Sequence, residues 1–289
     1  MEIAIISGKG GTGKSSISAA LATLSEKVVV ADCDVDAANL YILFNPDVEG
    51  EEIYIGSQKA VIDYSKCINC GLCLDYCKFD AIYYSDQKIN ISSIHCDGCK
   101  LCSRICPYNA ITMIDNDKSR MYYGSFRNGK MVYGKLAPGE ENSGKLVNIV
   151  RDKAKKLAKE NNINTIIIDG PPGIGCPVIS TITGVNYVII VTEPTLSGLK
   201  DLQRTLELTT KFNLNTVIII NKFDLNIKIT EKIENFCKKS NIKIIGKLAF
   251  DPQVVAAMIN CKSIIEWQPA SDISSQIKHI YNNLIYGQQ

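Results

Sequence analysis

The chain has 289 residues, 46% hydrophobic and 21% charged, ordinary proportions for a globular protein. A formal net charge of +2 excludes a strongly basic nucleic-acid binder and a long acidic tail. The longest apolar runs, such as 187–191, fall far short of the roughly 18 residues of a membrane span.

Met1 leads straight into a strand over 2–7, with no charged leader and no cleavage site, so the expected compartment is the cytoplasm. Clustered cysteines there point to metal or redox chemistry, not structural disulfides. The first strand runs into Gly8-Lys9-Gly10-Gly11-Thr12-Gly13-Lys14-Ser15, which fits G-x4-G-K-S, and a helix is expected over 14–24. Backbone N–H groups of such a turn, with the positive end of the helix, cradle phosphate oxygens. Lys14 then reaches the β- and γ-phosphates and Ser15 ligates Mg²⁺, with Ser16 beside them at the helix start. A second strand over 27–32 ends in Asp32-Cys33-Asp34-Val35-Asp36.

After an extended piece near 52–55 the alternation of strand and helix breaks at about residue 60 and resumes after about 114. Eight of the twelve cysteines lie in this gap, as Cys67-x2-Cys70-x2-Cys73-x3-Cys77 and Cys96-x2-Cys99-x2-Cys102-x3-Cys106-Pro107. The stretch 67–82 repeats as 96–111. In the two-cluster pattern three cysteines of one run wrap a [4Fe–4S] cubane and the fourth ligand comes from the other run. That assigns Cys67, Cys70, Cys73 and Cys106 to one cluster, and Cys96, Cys99, Cys102 and Cys77 to the second. Structural zinc is the competing reading, but zinc sites use paired cysteines with long gaps. The stretch has too few apolar residues for a core of its own, so bound clusters are expected to hold it together. Lys78 follows Cys77 where ferredoxins have proline, and a cation there favours the reduced cluster.

Next comes an expected hairpin, 122–126 and 131–133, turning at Arg127-Asn128-Gly129. A helix over 144–161 precedes a strand over 165–169, which ends in Asp169-Gly-Pro-Pro-Gly173. Further strands are expected at 187–192, 216–220 and 243–247, with helices over 197–211 and 229–239 between them. Such alternation indicates an α/β fold with a mostly parallel sheet covered by helices on both faces. Ile273, Ile277, Ile280 and Leu284 make 273–285 an amphipathic helix, packed rather than membrane-bound because Lys278 and His279 are its only basic residues.

The second loop lysine, Lys9, resembles the deviant phosphate loop of the MinD/ParA/Mrp family of ATPases, which includes the nitrogenase iron protein. Over nearly its whole length the chain resembles members of that family that carry an inserted ferredoxin domain, down to the segment 138–147. That segment's Gly144-Lys145 either contacts a dimer partner or starts a helix. The resemblance implies a P-loop ATPase domain over 1–59 and 115–289, and a two-cluster ferredoxin domain over 60–114. It implies a homodimer, or a heterodimer with a paralogue, that sandwiches ATP, with Lys9 reaching the partner's nucleotide. Asp34 would orient or deprotonate the attacking water, and Asp169 would hold Mg²⁺ through water. Asp32 and Asp36 are weaker candidates near the metal. Asn221 would read the purine edge; with Lys222 and Asp224 it also resembles the guanine motif of GTPases, but the loop and switches favour ATP. Asp251 and Pro252, like Glu193-Pro194-Thr195, stand where the family lines its nucleotide pocket, although Asp-Pro also suits an ordinary turn.

Cys176 stands at the same seven-residue offset from Asp169 as the cluster-bridging cysteine of the nitrogenase iron protein. An ordinary capping or buried thiol is the alternative. Three functions remain open: delivery or assembly of an iron–sulfur or other metal cofactor for an apo-metalloprotein, ATP-gated electron donation to a redox partner, and spatial positioning. The expected partners are proteins, not nucleic acid or membrane.

Overall fold

The computed structural model describes residues 1–140 and 143–285. The chain opens with β1 (Glu2–Ser7), α1 (Lys14–Leu24), β2 (Val28–Asp32), α2 (Leu40–Phe44) and β3 (Asp47–Tyr54). The cysteine-rich stretch follows as β4 (Gln58–Ile62), α3 (Leu72–Tyr76), β5 (Ile82–Ser85), β6 (Lys88–Ile91), α4 (Leu101–Ile105) and β7 (Ile111–Asp115). Then come β8 (Ser119–Phe126), β9 (Gly129–Lys135), α5 (Ser143–Glu160), β10 (Ile166–Pro172), α6 (Cys176–Ile182), β11 (Tyr187–Thr192) and α7 (Leu196–Lys211). The chain continues through β12 (Thr216–Asn221), α8 (Ile227–Lys239), β13 (Lys243–Leu248), α9 (Pro252–Ile259), α10 (Ile264–Trp267) and α11 (Asp272–Ile285).

Among the described residues nine strands form one sheet, ordered β13-β12-β11-β1-β10-β2-β9-β8-β3. Strands β13 to β9 are parallel, and β8 and β3 join antiparallel at one edge. The expected hairpin is β8–β9, but β9 also lies parallel beside β2. Side chains alternate across β1. Ala4 and Ile6 face a core shared with Val147, Val150, Ile182 and Leu206. Ile3 and Ile5 face a second core with Leu21, Val30, Ile277 and Ile280. Burial of both faces explains why these strands read as continuous apolar runs. The apolar stripe of α11 is buried, as its spacing predicts.

The cysteine-rich stretch stands apart from this sheet, with β4 paired to β7 and β5 to β6. Its apolar cluster is small and mixes Ile62, Ile82, Ile89 and Ile111 with Cys73 and Cys96. It grows from neighbouring strands, leaving after β3 and returning into β8; the Asn116 N–H donates to the Ser57 carbonyl at 3.0 Å across this stalk. No helix among the described residues is long and apolar enough to cross a membrane.

Candidate functional site

The carboxyl ends of β1, β10 and β2 lie side by side, with Ile5 level with Asp169 and Asp169 level with Asp32. Open parallel sheets present their ligand crevice at such an edge. Here the chain turns through loop 8–13 into α1, capped by Gly13 in the left-handed region at φ 89°. A side chain at Gly13 is barred twice, because an added Cβ would also meet Asn221 Nδ2 at 2.2 Å. Asn221 Nδ2 donates to the Thr12 carbonyl at 2.7 Å, which pins the loop to β12. Gly8 packs closely against Asp201 of α7, while open space surrounds Gly10 and Gly11.

A cavity of about 340 Å³ lies over this loop. It brings together Gly10, Gly11, Thr12, Gly13, Lys14, Ser15 and Ser16 with Asp34, Asn221, Lys222 and Asp251. Pro252 opens α9 just behind, and the Asp251 carboxylate caps that helix by accepting from the Gln253 N–H at 2.8 Å. The motifs did not reveal the apolar wall of Phe250, Val254, Val255 and Met258. Its spacing reads only as a short helix; that it faces a cavity depends on where β13 delivers it.

The charges converge on Asp169, which is fully buried. It accepts hydrogen bonds from Ser15 Oγ and Ser18 Oγ, each at 2.7 Å, and pairs with Lys14 at 3.0 Å. Asp34 Oδ2 stands 4.0 Å from the Lys14 ammonium. Burial works against the charge on Lys14, but Asp169, Asp34 and Asp32 outweigh it and hold its pKa above the ordinary value. Burial likewise raises Asp34, with Lys14 pulling the other way. Ser18 is a site residue outside the motif; the signal was its place one helical turn beyond Lys14.

Asp32 faces away from the cavity. Its carboxylate accepts the N–H groups of Asp34 at 3.2 Å, Asn39 at 3.1 Å and Leu40 at 3.0 Å, and so shapes the loop that carries Asp34. Burial and the Asp169 charge push it up to about 7, against the pull of Lys14 and of the Leu40 and Asn39 N–H groups. Asp36 is exposed, and Cys33 is a buried thiol whose ionisation burial suppresses.

Lys9 turns back onto its own chain. Its ammonium pairs with Glu193 at 2.7 Å and donates to Thr195 Oγ1 at 3.0 Å and Ser197 Oγ at 3.1 Å. Lys222 pairs with the other Glu193 oxygen at 3.2 Å and donates to the Gly11 carbonyl at 2.9 Å. Burial raises Glu193, but the two lysines prevail and its carboxyl sits below the usual range. Thr12 Oγ1 is buried without a hydrogen-bond partner.

The cysteine-rich stretch holds two small cavities. One is lined by Cys67, Cys70, Cys73 and Cys106, the other by Cys77, Cys96, Cys99 and Cys102. Each takes three cysteines from one run and the last from the other. No group of three His, Cys, Asp or Glu side chains among the described residues is gathered as a single metal ion requires. Burial and neighbouring cysteines raise Cys73, and raise Cys102 to about 11. Cys176 lies apart from both cavities, exposed at the first position of α6. Of the segment 138–147, residues 141 and 142 lie outside the described residues; Gly144 packs against Cys176, and Lys145 lies 5.9 Å from the centre of the Tyr54 ring.

Residues 3–264 match the family described as the CobQ/CobB/MinD/ParA nucleotide binding domain. A protein of Methanocaldococcus jannaschii, itself uncharacterized, is 39% identical over 292 residues, covering 98% of this chain and 96% of the relative. Among solved structures, the septum site-determining protein MinD of Pyrococcus horikoshii, complexed with Mg-ADP, has a TM-score of 0.58 at 17% identity, covering 99% of this chain and 96% of that one. A ParA family ATPase from Chlorobium tepidum has a TM-score of 0.55 at 18% identity, over 96% of each chain. At such identities the likeness is one of fold.

Proposed function

This chain belongs to the CobQ/CobB/MinD/ParA nucleotide-binding family, and from that premise we propose that it is an ATP-hydrolysing iron–sulfur protein. In this reading it works as a dimer, carries two [4Fe–4S] clusters and delivers an iron–sulfur or other metal cofactor to a partner protein. The observation that carries the reading is the pair of cysteine-quartet cavities on the same chain as the phosphate loop.

The crevice fits ATP and Mg²⁺ by its donor set. Open space over Gly10 and Gly11 admits phosphate to the backbone N–H groups, and the buried, unpartnered Thr12 hydroxyl lies in the same loop. Ser15 and, through water, Asp169 would hold Mg²⁺, which supplies charge neutralisation on the phosphoryl group being transferred. Lys14 exchanges its contact with Asp169 for the β- and γ-phosphates and stabilises the charge that develops there. Asp34 lines the cavity with a raised pKa and orients or deprotonates the attacking water. Asn221 and Asp251 border the space left for the base, against the apolar wall of α9.

Four thiol donors around each small cavity, three at x2 spacing from one run and one from the other, suit a cubane. When bound, such clusters carry single electrons. Around them Ile62, Ile89 and Ile111 exclude water from one quartet, and Ile82, Ile91 and Met113 from the other.

A second reading, ATP-gated electron donation, is favoured by the same quartets. All eight cysteines are committed to resident clusters, so a delivered cofactor needs a further site, and exposed Cys176 is the candidate. Spatial positioning fits what the fold neighbours are called, but buried α11 offers no free amphipathic face for a membrane.

The test starts from anaerobically reconstituted protein. Lys14→Ala is expected to lower hydrolysis by about 10²-fold or more while both cluster spectra persist. Loss of the clusters in that variant, or full iron retention after Cys99→Ser and Cys70→Ser together, sinks the two-site reading. ATP-dependent transfer of iron to an apo-protein that Cys176→Ser abolishes supports delivery. ATP-dependent electron transfer that survives Cys176→Ser supports donation instead.

A further inference from the structure

The two halves of the cysteine module are copies, and the copy extends upstream of the cysteines. Gln58-Lys59 precedes Cys67 at the same distance as Gln87-Lys88 precedes Cys96. The two lysines meet opposite fates. Lys88 is exposed, with its ammonium 5.4 Å from the centre of the Tyr64 ring. Lys59 is only 5% exposed and donates to the carbonyls of Cys96 at 2.8 Å and Gly139 at 2.7 Å.

The partner of Lys59 is Glu140, 3.4 Å away, whose side chain is closed off from solvent. The same Glu140 oxygen accepts from Ser57 Oγ at 2.7 Å and from Asn116 Nδ2, one residue on each of the two links that form the stalk. The other oxygen is buried without a hydrogen-bond partner. Backbone packing closes the joint. An added Cβ on Gly139 would come 2.2 Å from the Ile94 carbonyl oxygen, and one on Gly98 would come 2.3 Å from that of Gln58. The stretch that bears Cys96 and Cys99 is therefore pressed onto the loop between β9 and α5, and a buried ion pair lies in the seam.

We propose that Lys59 and Glu140 make the two cluster sites electrostatically unequal, so that the quartet of Cys77, Cys96, Cys99 and Cys102 is tuned from the nucleotide-binding domain and the other quartet is not. The assignment rests on the two-cluster reading above. A cation bonded to a ligand's own carbonyl, in a seam that excludes water, is poorly screened. It favours the more negative, reduced state of the cluster beside it. Glu140 holds that cation in place and opposes it. Lys88, in solvent, does neither for the other quartet.

The experiment is a redox titration of the reconstituted full-length chain, followed by electron paramagnetic resonance. In Lys59→Met one cluster is expected to show a roughly tenfold lower reduced-to-oxidised ratio at fixed potential, about 59 mV for a one-electron couple. The other cluster keeps its wild-type value. Glu140→Gln, which nearly preserves shape and keeps the test alive if Lys59→Met fails to fold, shifts the same cluster in the opposite sense. Repeating the titration in a Cys99→Ser background identifies the shifted cluster as the one held by Cys96. Equal shifts in both clusters, no shift in either, or shifts of the same sign in the two variants overturn the assignment. Wild-type protein that shows no cubane signals after reconstitution overturns the two-cluster reading itself, and this assignment with it.

Discussion

Two buried carboxylates, Asp32 and Asp169, lie level on adjoining strands beside the ammonium of Lys14. Burial and then the neighbouring Asp169 charge favour the protonated form of Asp32, because the ammonium pairs directly with Asp169. The fold raises Asp32 from its ordinary 3.8 to about 7. Between these values the folded chain binds the proton more tightly than the unfolded chain does. The contribution of Asp32 to stability is thus full below about 4 and is lost as pH rises through about 7. Urea unfolding of Mg²⁺- and nucleotide-free protein, wild type against Asp32→Asn, isolates this effect. The variant is expected to gain stability relative to wild type from pH 4 to 7, with a flat difference above and below, whatever constant offset the altered hydrogen bonds to Asn39 and Leu40 introduce. A difference flat throughout, or one that slopes the other way, would show that Asp32 is not the strained group. The loop pattern over 8–15 and the two cysteine runs stand out in the sequence because phosphate binding and the proposed cluster ligation each call for residue types at fixed spacing. The structure gathers the loop at one cavity, with Asp169 bonded to Ser15, and each cysteine quartet around another. The apolar wall at α9 and the turn of Asp32 onto the loop that carries Asp34 were not legible in the sequence, since only the path of β13 and the register of β2 beside β10 bring them to their places. Ser18 is signalled only by its place one turn beyond Lys14 on α1.

At the scale of elements, legibility followed burial on both faces. β1, β10, β11 and β12 announce themselves as β-branched runs because helices cover them on either side. β3 begins at Asp47, earlier than the sequence pattern suggests, because it is an exposed acidic edge strand with no apolar face to reveal it. The five-residue helices α2, α3 and α4 are too short to show a period. Helix α11 is the opposite case. Its stripe predicts packing, and the structure buries Ile273, Ile277, Ile280 and Leu284 against α1 and β13, with Ile280 filling the space beside Gly246. Ile277→Ala is therefore expected to cost about 2–5 kcal/mol in equilibrium unfolding. A loss below about 0.5 kcal/mol, the size of a surface substitution, would mean that the helix is not packed in solution. The positioning reading would then regain a free amphipathic face.

For the molecule as a whole, the place of the cysteine-rich stretch between Asp34 and Asp169 is plain in the sequence, but its attachment is not. Lys59 and Lys88 occupy equivalent positions of the repeat, and nothing local distinguishes the lysine that Glu140 buries from the one left in solvent. Assembly poses the same problem for Lys9. In the single chain its ammonium rests on Glu193, Thr195 and Ser197, whereas the proposed sandwich dimer would require it at a partner's phosphates. The magnitudes permit the exchange once the partner's phosphates offer more than one hydrogen bond, because Lys9 gives up the Glu193 pair and two hydroxyl contacts together. Lys9 and Glu193 are 27% and 17% exposed, and a partly solvated pair of this kind is worth about 0–1 kcal/mol. A hydrogen bond to a charged phosphate contributes about 1.5–3 kcal/mol. Lys9 should therefore leave Glu193 when, and only when, a second nucleotide-loaded chain is present. Lys9→Ala is expected to bind a non-hydrolysable ATP analogue within about threefold of wild type, since Lys14 and the loop N–H groups remain. The variant should nevertheless sediment as a monomer at concentrations where the loaded wild type dimerises, and its hydrolysis should fall by about tenfold or more. If it dimerises as wild type does, Lys9 acts within its own chain and Glu193 is its permanent partner; if nucleotide affinity collapses instead, Lys9 belongs to the loop's own phosphate contacts.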